Sequence, residues 1–311
     1  MVCLAFRQPT RSPYCRSMSS LARRVGVGLL LCSGWLACDQ IIDIDIPEAP
    51  PRLVVSATAS ETGDSIEQVR VFVSQATDVY SDDDTAVESA TAVLLRNGME
   101  LDRYELQAGS IVPYAVLRAD LTPGPDLYEL RVTSPGYPTA SATQRVPSRV
   151  PLQGAVLTLD GGVNAGGYRL DRMDLTFTDP PTPGDYYLLR VYHVTQLTPS
   201  FYHPNPSYVE PYGLWVEWGA TDKHLVLSDA DCNGQTVTVT ALGAFGDEGG
   251  EYHVAALHHI DEDRYRYERS LHEYFRADPN PFSEPALVHS NITGGYGIFS
   301  ITTVDTVRVE Y

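Results

Sequence analysis

The chain has 311 residues, with 40 acidic against 22 basic side chains and a formal charge of -18 at pH 7. That balance excludes binding to a phosphate backbone, which depends on clustered cations. The length allows two domains, and a composition rich in Val, Thr, Tyr, Gly and Pro with few helical periods reads as all-β, or mainly β.

Residues 1–37 stand apart. A basic pair, Arg23-Arg24, precedes an apolar run from Val25 to Ala37 that is broken by Gly26, Gly28, Ser33 and Gly34. The run falls short of the roughly 20 apolar residues that cross a bilayer, and its order is that of a signal peptide. Cys38 directly follows the small Ala37, and Leu36-Ala37-Cys38 resembles the lipobox of bacterial lipoproteins, in which the thiol is acylated. Cys38 is therefore the expected lipid attachment site and the membrane the expected partner. The polar stretch before Met18 lacks periodicity, which places the expected translation start at Met18. Residues 1–37 carry five arginines and no acid, so residues 38–311 hold 17 basic against 40 acidic side chains, and Lys223 is the single lysine. With the first 37 residues removed and Cys38 acylated, Cys232 is left without an intramolecular disulfide partner.

After a tether at 38–49, period-two alternation marks strands at Arg52 to Ser60, Glu67 to Gln75 and Ala90 to Gly98, and Asn97-Gly98 is a hairpin signal. Tyr128, Leu130 and Val132 share one strand face, followed by a turn at Pro135-Gly136. Short strands at this spacing predict an immunoglobulin-like or transthyretin-like β-sandwich over residues 50–147. The segment 148–154, poor in apolar residues and bearing two prolines nearby, reads as a linker.

A second, larger β-rich domain is expected over 155–311, with Met173, Leu175 and Phe177 on one inward face. DYYLLRVYHV, LWVEW, HLVLSD, QTVTVTALGAF and EYHVAALHHI read as further strands. Tyr267, Leu271, Tyr274 and Phe275 then fall at the spacing of one amphipathic helix, over about 261–276. Asp261 suits its N-cap, and Ile260 suits a staple onto Tyr265.

Catalytic signatures are absent: the chain has no HExxH, CxxC pair, GxSxG or phosphate loop. His253, His258, His259 and His272 lie near Asp261, Glu262 and Asp263, but strand alternation puts His258 on one face and His253 and His259 on the other. No metal site, cofactor or enzymatic activity is expected. The acids of Ser81 to Thr85 lack the order of a calcium loop and read as a solvated turn. The stretch from Phe201 to Trp218 combines prolines with Tyr202, Tyr208, Tyr212, Trp215 and Trp218. These aromatics form a candidate binding loop, beside the alternative that Trp215 and Trp218 fill the second domain's core.

Several of these segments share one pattern: a lipoprotein cysteine, an Asp/Ile/Pro tether, a leading LVV strand, FTDPPTPGDYYLLRV, a Tyr-rich helix, then NPFSEP and SNITGGYGIFS. The pattern resembles the Bacteroidetes outer-membrane lipoproteins catalogued as domain of unknown function 4249, across essentially the whole mature chain. Genes of that family often lie beside TonB-dependent receptors. The resemblance thus implies an accessory or ligand-binding lipoprotein of an uptake receptor, with a structural or adhesive surface lipoprotein as the alternative. Asp39, Asp43 and Asp45 are similar in charge to the acidic export signal of such lipoproteins, which implies the cell surface more than the periplasmic face.

Overall fold

The structure is a computed structural model. It describes residues 50–309 except 61–64, 77–86, 88, 108–113, 164–166, 195–198, 201–216, 219–224, 231, 244–251 and 278–285. Cys38, the tether and the Ser81 to Thr85 run lie outside the described residues. From Pro50 onward the chain forms one compact unit, mainly β, sandwich-like, with one long helix near its C-terminal end.

The first half builds two sheets. Strands β1 (Leu53–Ser60), β2 (Ile66–Gln75) and β5 (Tyr114–Leu121) pair antiparallel in one. In the other, β3 (Ser89–Arg96), β4 (Met99–Gln107), β6 (Tyr128–Thr133) and β7 (Ala140–Gln144) run in the order β4-β3-β6-β7. Alternation sets their inward residues: Leu53, Val55, Ala57, Val69, Val71, Leu94, Leu117, Tyr128 and Leu130 are buried in one core. Asn97 and Gly98 turn β3 into β4 with φ of 51° and 83°, the pair of positive values that a two-residue hairpin of type I′ requires.

In the second half β8 (Leu152–Val163), β9 (Arg169–Thr178) and β14 (Thr236–Gly243) form a three-stranded sheet in the order β14-β9-β8. It faces β10 (Tyr186–Val194), β13 (Leu225–Ser228) and β15 (Tyr252–Ile260) across a second core, where Met173, Leu175 and Phe177 are fully buried. Two short pairings, β11 (Pro199–Ser200) on β10 and β12 (Glu217–Trp218) on β13, extend the edge.

The last strand, β16 (Tyr296–Val309), joins the halves. Residues 296–302 pair parallel with β1, and residues 303–309 pair antiparallel with β15, so a nine-stranded sheet runs through both. The SNITGGYGIFS stretch makes this junction. The Asn291 side chain donates to Phe299 O at 2.8 Å and accepts from Phe299 N–H at 2.9 Å, as a neighbouring strand would. Gly297, at φ +113°, lies so close to β1 that a Cβ would fall 2.0 Å from Val55 O.

The stretch expected as a linker, 148–154, is instead fastened to the unit. Val150 and Leu152 are buried, Ser148 O accepts from Thr303 Oγ1, and Leu152 N–H donates to Asp305 Oδ2 at 2.8 Å. Buried apolar side chains and occupied backbone groups hold it against the second core, whatever its proline content suggests.

The helix, α1 (Glu262–Ala277), starts where expected. Asp261 Oδ1 accepts from Arg264 N–H at 2.8 Å, an N-cap bond to the third helical residue, and Ile260 and Tyr265 share one cluster with Leu188 and Val226. Its buried face is not the expected stripe. Tyr265 and Glu268 are the most enclosed positions, while Tyr274 and Phe275 are exposed and touch each other edge to face. Among the described residues the buried positions of α1 lie in its first two turns, so periodicity over its later turns does not report on the core.

Candidate functional site

Of the candidate binding loop, Tyr202, Tyr208, Tyr212 and Trp215 lie outside the described residues. Trp218 is placed by its backbone, which pairs with Leu225. The histidines separate as alternation requires: His258 faces α1 alongside Ile260, and His259 faces inward, stacked on Tyr187 with ring centroids 5.3 Å apart. His253 is fully buried on β15. Asp261 and Asp263 serve α1's start, where Gln144 Nε2 donates to both and His289 Nε2 lies 2.9 Å from Asp263 Oδ1.

The structure assembles a different cluster. Strand β9 ends at Thr178, and the prolines 180, 181 and 183 beyond it carry no N–H with which to extend a ladder. The chain leaves the sheet at Asp179 and re-enters at Asp185, after Gly184 turns with φ +101°. At the same end of the sandwich, β13 stops before Asp229 and a turn through Cys232 and Gly234 leads to β14. Asp179, Asp185 and Asp229 there bring one oxygen each within 4.8 Å of the others, the one such group of metal-capable side chains among the described residues.

The hydrogen bonds show what this cluster does. Asp179, 1% exposed, accepts from Tyr187 O–H at 2.5 Å and from Gly234 N–H at 2.8 Å. Asp229 Oδ2 accepts from Gly184 N–H at 2.7 Å, so each loop's carboxylate holds the other loop's glycine amide. Burial, and then the bond to Asp179, push the Tyr187 phenol far above its ordinary value, so it stays a donor. Asp185 Oδ1 lies 2.9 Å from His259 Nε2, and His259 Nδ1 lies 2.6 Å from Ser148 O. With a carbonyl at Nδ1, that nitrogen is the donor of the bond to Ser148. Four of the six carboxylate oxygens thus already accept hydrogen bonds. The cluster laces two loops to β10 and β15, with both oxygens of Asp179 engaged by Tyr187 and Gly234.

Asp185 and His259 also border an open groove of about 520 Å³ whose far side is formed by Leu127 and the 143–148 stretch. Burial raises the pKa of Asp185 above its ordinary value; His259 opposes the shift, and Asp179 and Asp229 add to it. Burial also raises Asp261, against its hydrogen bonds from Arg264 and Ser300. Groups that hold protons more tightly when folded contribute stability that is complete below the ordinary value of 3.8 and is lost as the pH rises through their raised values. The expected result is therefore that acidification from neutrality toward pH 3.8 raises the melting temperature, and that Asp185→Asn shows a smaller rise. Calorimetry across that range checks it.

In the sequence, Asp179 and Asp185 sit inside the most family-specific stretch, but as part of a signature without a stated role. Asp229 stands out there only as a neighbour of Cys232. The signal that could find the first two is an acid at a strand end next to Pro or Gly, where a carboxylate meets freed backbone amides; Asp229, between Ser228 and Ala230, lacks that mark.

No curated protein matches the chain. Among solved structures, it is similar at 10% identity and a TM-score of 0.20 to the Fcho1 mu homology domain of Danio rerio with bound Eps15 peptide, over 82% of this chain and 92% of that one. It is also similar at 10% identity and a TM-score of 0.18 to a chain in the structure of manganese lipoxygenase of Gaeumannomyces graminis and partial zonadhesin of Komagataella pastoris, over 85% of this chain and 99% of that one. Scores this low establish no common fold. The model of one family, described as Domain of unknown function (DUF4249), matches residues 39–308, including the Asp179–Tyr187 lock and the Gly297 junction, and the chain belongs to that family.

Proposed function

We propose that the mature chain is a non-enzymatic outer-membrane lipoprotein, anchored through Cys38, that serves as an accessory or ligand-binding partner of a TonB-dependent uptake receptor. The observation that carries this reading is the order Arg23-Arg24, apolar run, Leu36-Ala37-Cys38, placed just before the start of the family match at residue 39. Several acyl chains on one cysteine, at about 0.8 kcal/mol per buried methylene, hold a protein at a bilayer almost permanently. The compact unit begins at Pro50, so the intervening stretch reaches at most ~40 Å from the lipid at ~3.5 Å per residue.

Intact mass of the protein from detergent-solubilised membranes should give a chain starting at Cys38 and carrying diacylglyceryl and acyl groups, and Cys38→Ala should move it to the soluble fraction. Co-purification of a TonB-dependent receptor supports the partnership. An unmodified terminus overturns the anchor, and a deletion strain with altered surface attachment but normal uptake overturns the receptor role.

A further inference from the structure

The chain enters its compact unit at Pro50, and β1 follows three residues later. Leu53, Val55 and Ala57 of β1 are buried in the first core, so Val54, Ser56 and Thr58 turn to the opposite face of the nine-stranded sheet. Register extends that face sideways. Val54 stands opposite Tyr296 of β16 and Ser74 of β2, and Ser56 stands opposite Phe72 of β2. Phe72 is 44% exposed and Tyr296 is 46% exposed, with the half-buried Val54 on the strand between theirs. The Arg52 guanidinium lies over the Tyr296 ring, 5.4 Å from its centre.

Farther along β16 the same face is covered. Ile298 and Ser300 are buried, and Ser300 O–H donates to Asp261 Oδ2 at 2.8 Å, at the cap of α1. The open part is therefore the end where the chain arrives from Cys38. Two strand spacings and two residues along the strand separate Tyr296 from Phe72, so the two rings stand on backbone positions roughly 12 Å apart, on one side of the sheet. An aromatic ring beside a guanidinium suits the headgroup layer of a bilayer, where the ring meets acyl chains and the cation meets phosphate. Two such rings alone bind a bilayer weakly. With acyl chains on Cys38, however, the unit cannot leave the lipid by more than ~40 Å, so docking is intramolecular and a weak contact suffices. Val156, Leu159 and Val163 are exposed as well, on β8 of the three-stranded sheet, but the chain does not enter there.

We propose that this corner of the sheet, formed by Arg52, Val54, Phe72 and Tyr296, rests on the phospholipid headgroup layer of the membrane that carries Cys38. The inference depends on the lipid anchor proposed above and adds to it the side of the folded unit that meets the lipid. The receptor does not enter it. Phe72 and Tyr296 reach below the phosphates, and the Arg52 cation stays level with them.

The test takes the acylated protein from membranes, inserts it from outside into preformed phosphatidylcholine vesicles, and spin-labels one introduced cysteine at a time. Cys38 is blocked by its lipid, and Cys232 is only 5% exposed. Ser56→Cys reports on the proposed face, Thr143→Cys on the outer side of the four-stranded sheet, and Thr158→Cys on β8 beside Leu159; all three positions are exposed. The Ser56 label should be several-fold less accessible to a water-soluble nickel chelate than the other two. Phe72→Ser with Tyr296→Ser should bring it to the level of the Thr143 label. Phe72→Ser alone, at an exposed position, should recover part of that accessibility and gives a reading if the double variant fails to fold. A Ser56 label as open as the Thr143 label, shielding at Thr158 instead, or shielding that survives in a folded aromatic variant overturns the docked face and leaves the anchor standing. An intact mass without acyl groups overturns the anchor, and the docked face with it.

Discussion

Gly297→Ala lowers the unfolding free energy by about 3–5 kcal/mol, read from urea midpoints, and much of the expressed protein is insoluble. Two causes add. The backbone at φ +113° disfavours any side chain, and the new Cβ would meet Val55 O at 2.0 Å and Val55 C at 2.8 Å. The obstacle is backbone of a paired strand, so no rotamer change relieves it; β1 and β16 must separate. Gly98→Ala isolates the conformational part, since Gly98 has φ +83° with nothing within 4 Å of a Cβ. It should cost only about 1 kcal/mol. Equal costs at the two positions would show that the β1–β16 contact is not what fixes Gly297.

Asp179→Ala is expected to cost about 3 kcal/mol or more, and Tyr187→Phe about 1–2 kcal/mol. The asymmetry comes from the groups that each change leaves behind. Removing the carboxylate strands the Tyr187 hydroxyl and the Gly234 amide in a site where Tyr187 and Asp179 are each 1% exposed. Removing the hydroxyl leaves Asp179 its bond from Gly234 and the ring its packing on Phe177, 4.8 Å between centroids. The double variant should cost less than the two singles together, because both remove the same hydrogen bond. Strict additivity would mean that Asp179 stabilises the loops only through Gly234.

The amount legible in the sequence depends on the range of the physics. Strands with one buried face announce themselves locally: Tyr128, Leu130 and Val132 alternate with polar residues, and Asn97-Gly98 names its own turn. The start of α1 is equally plain, because an N-cap and a staple act within four residues. Its later turns mislead, since Tyr274 and Phe275 have helical spacing but stay exposed. Two long-range features leave only partial traces. Nothing near residue 150 tells that Ser148 and Leu152 are held by Thr303 and Asp305. Likewise, the doubled glycine at 294–295 and Gly297 can be read as permissive backbone, but not as the place where the chain's end approaches its beginning. At the candidate site, Asp179 and Asp185 are visible as signature residues, whereas Asp229, 44 positions beyond Asp185, joins them only through the pairing of β10 with β13.

The double pairing of β16 also sets when the molecule can be finished. Strand β1 waits for β16, because among the described residues one side of β1 is covered by β2 and the other by residues 296–302. Such high contact order makes closure slow and leaves an open strand edge in any incomplete chain. A polypeptide built this way cannot mature half by half: it reaches its final form only after residues 296–309 have been delivered, and loss of residues 296–302 would be felt at β1, more than two hundred positions earlier.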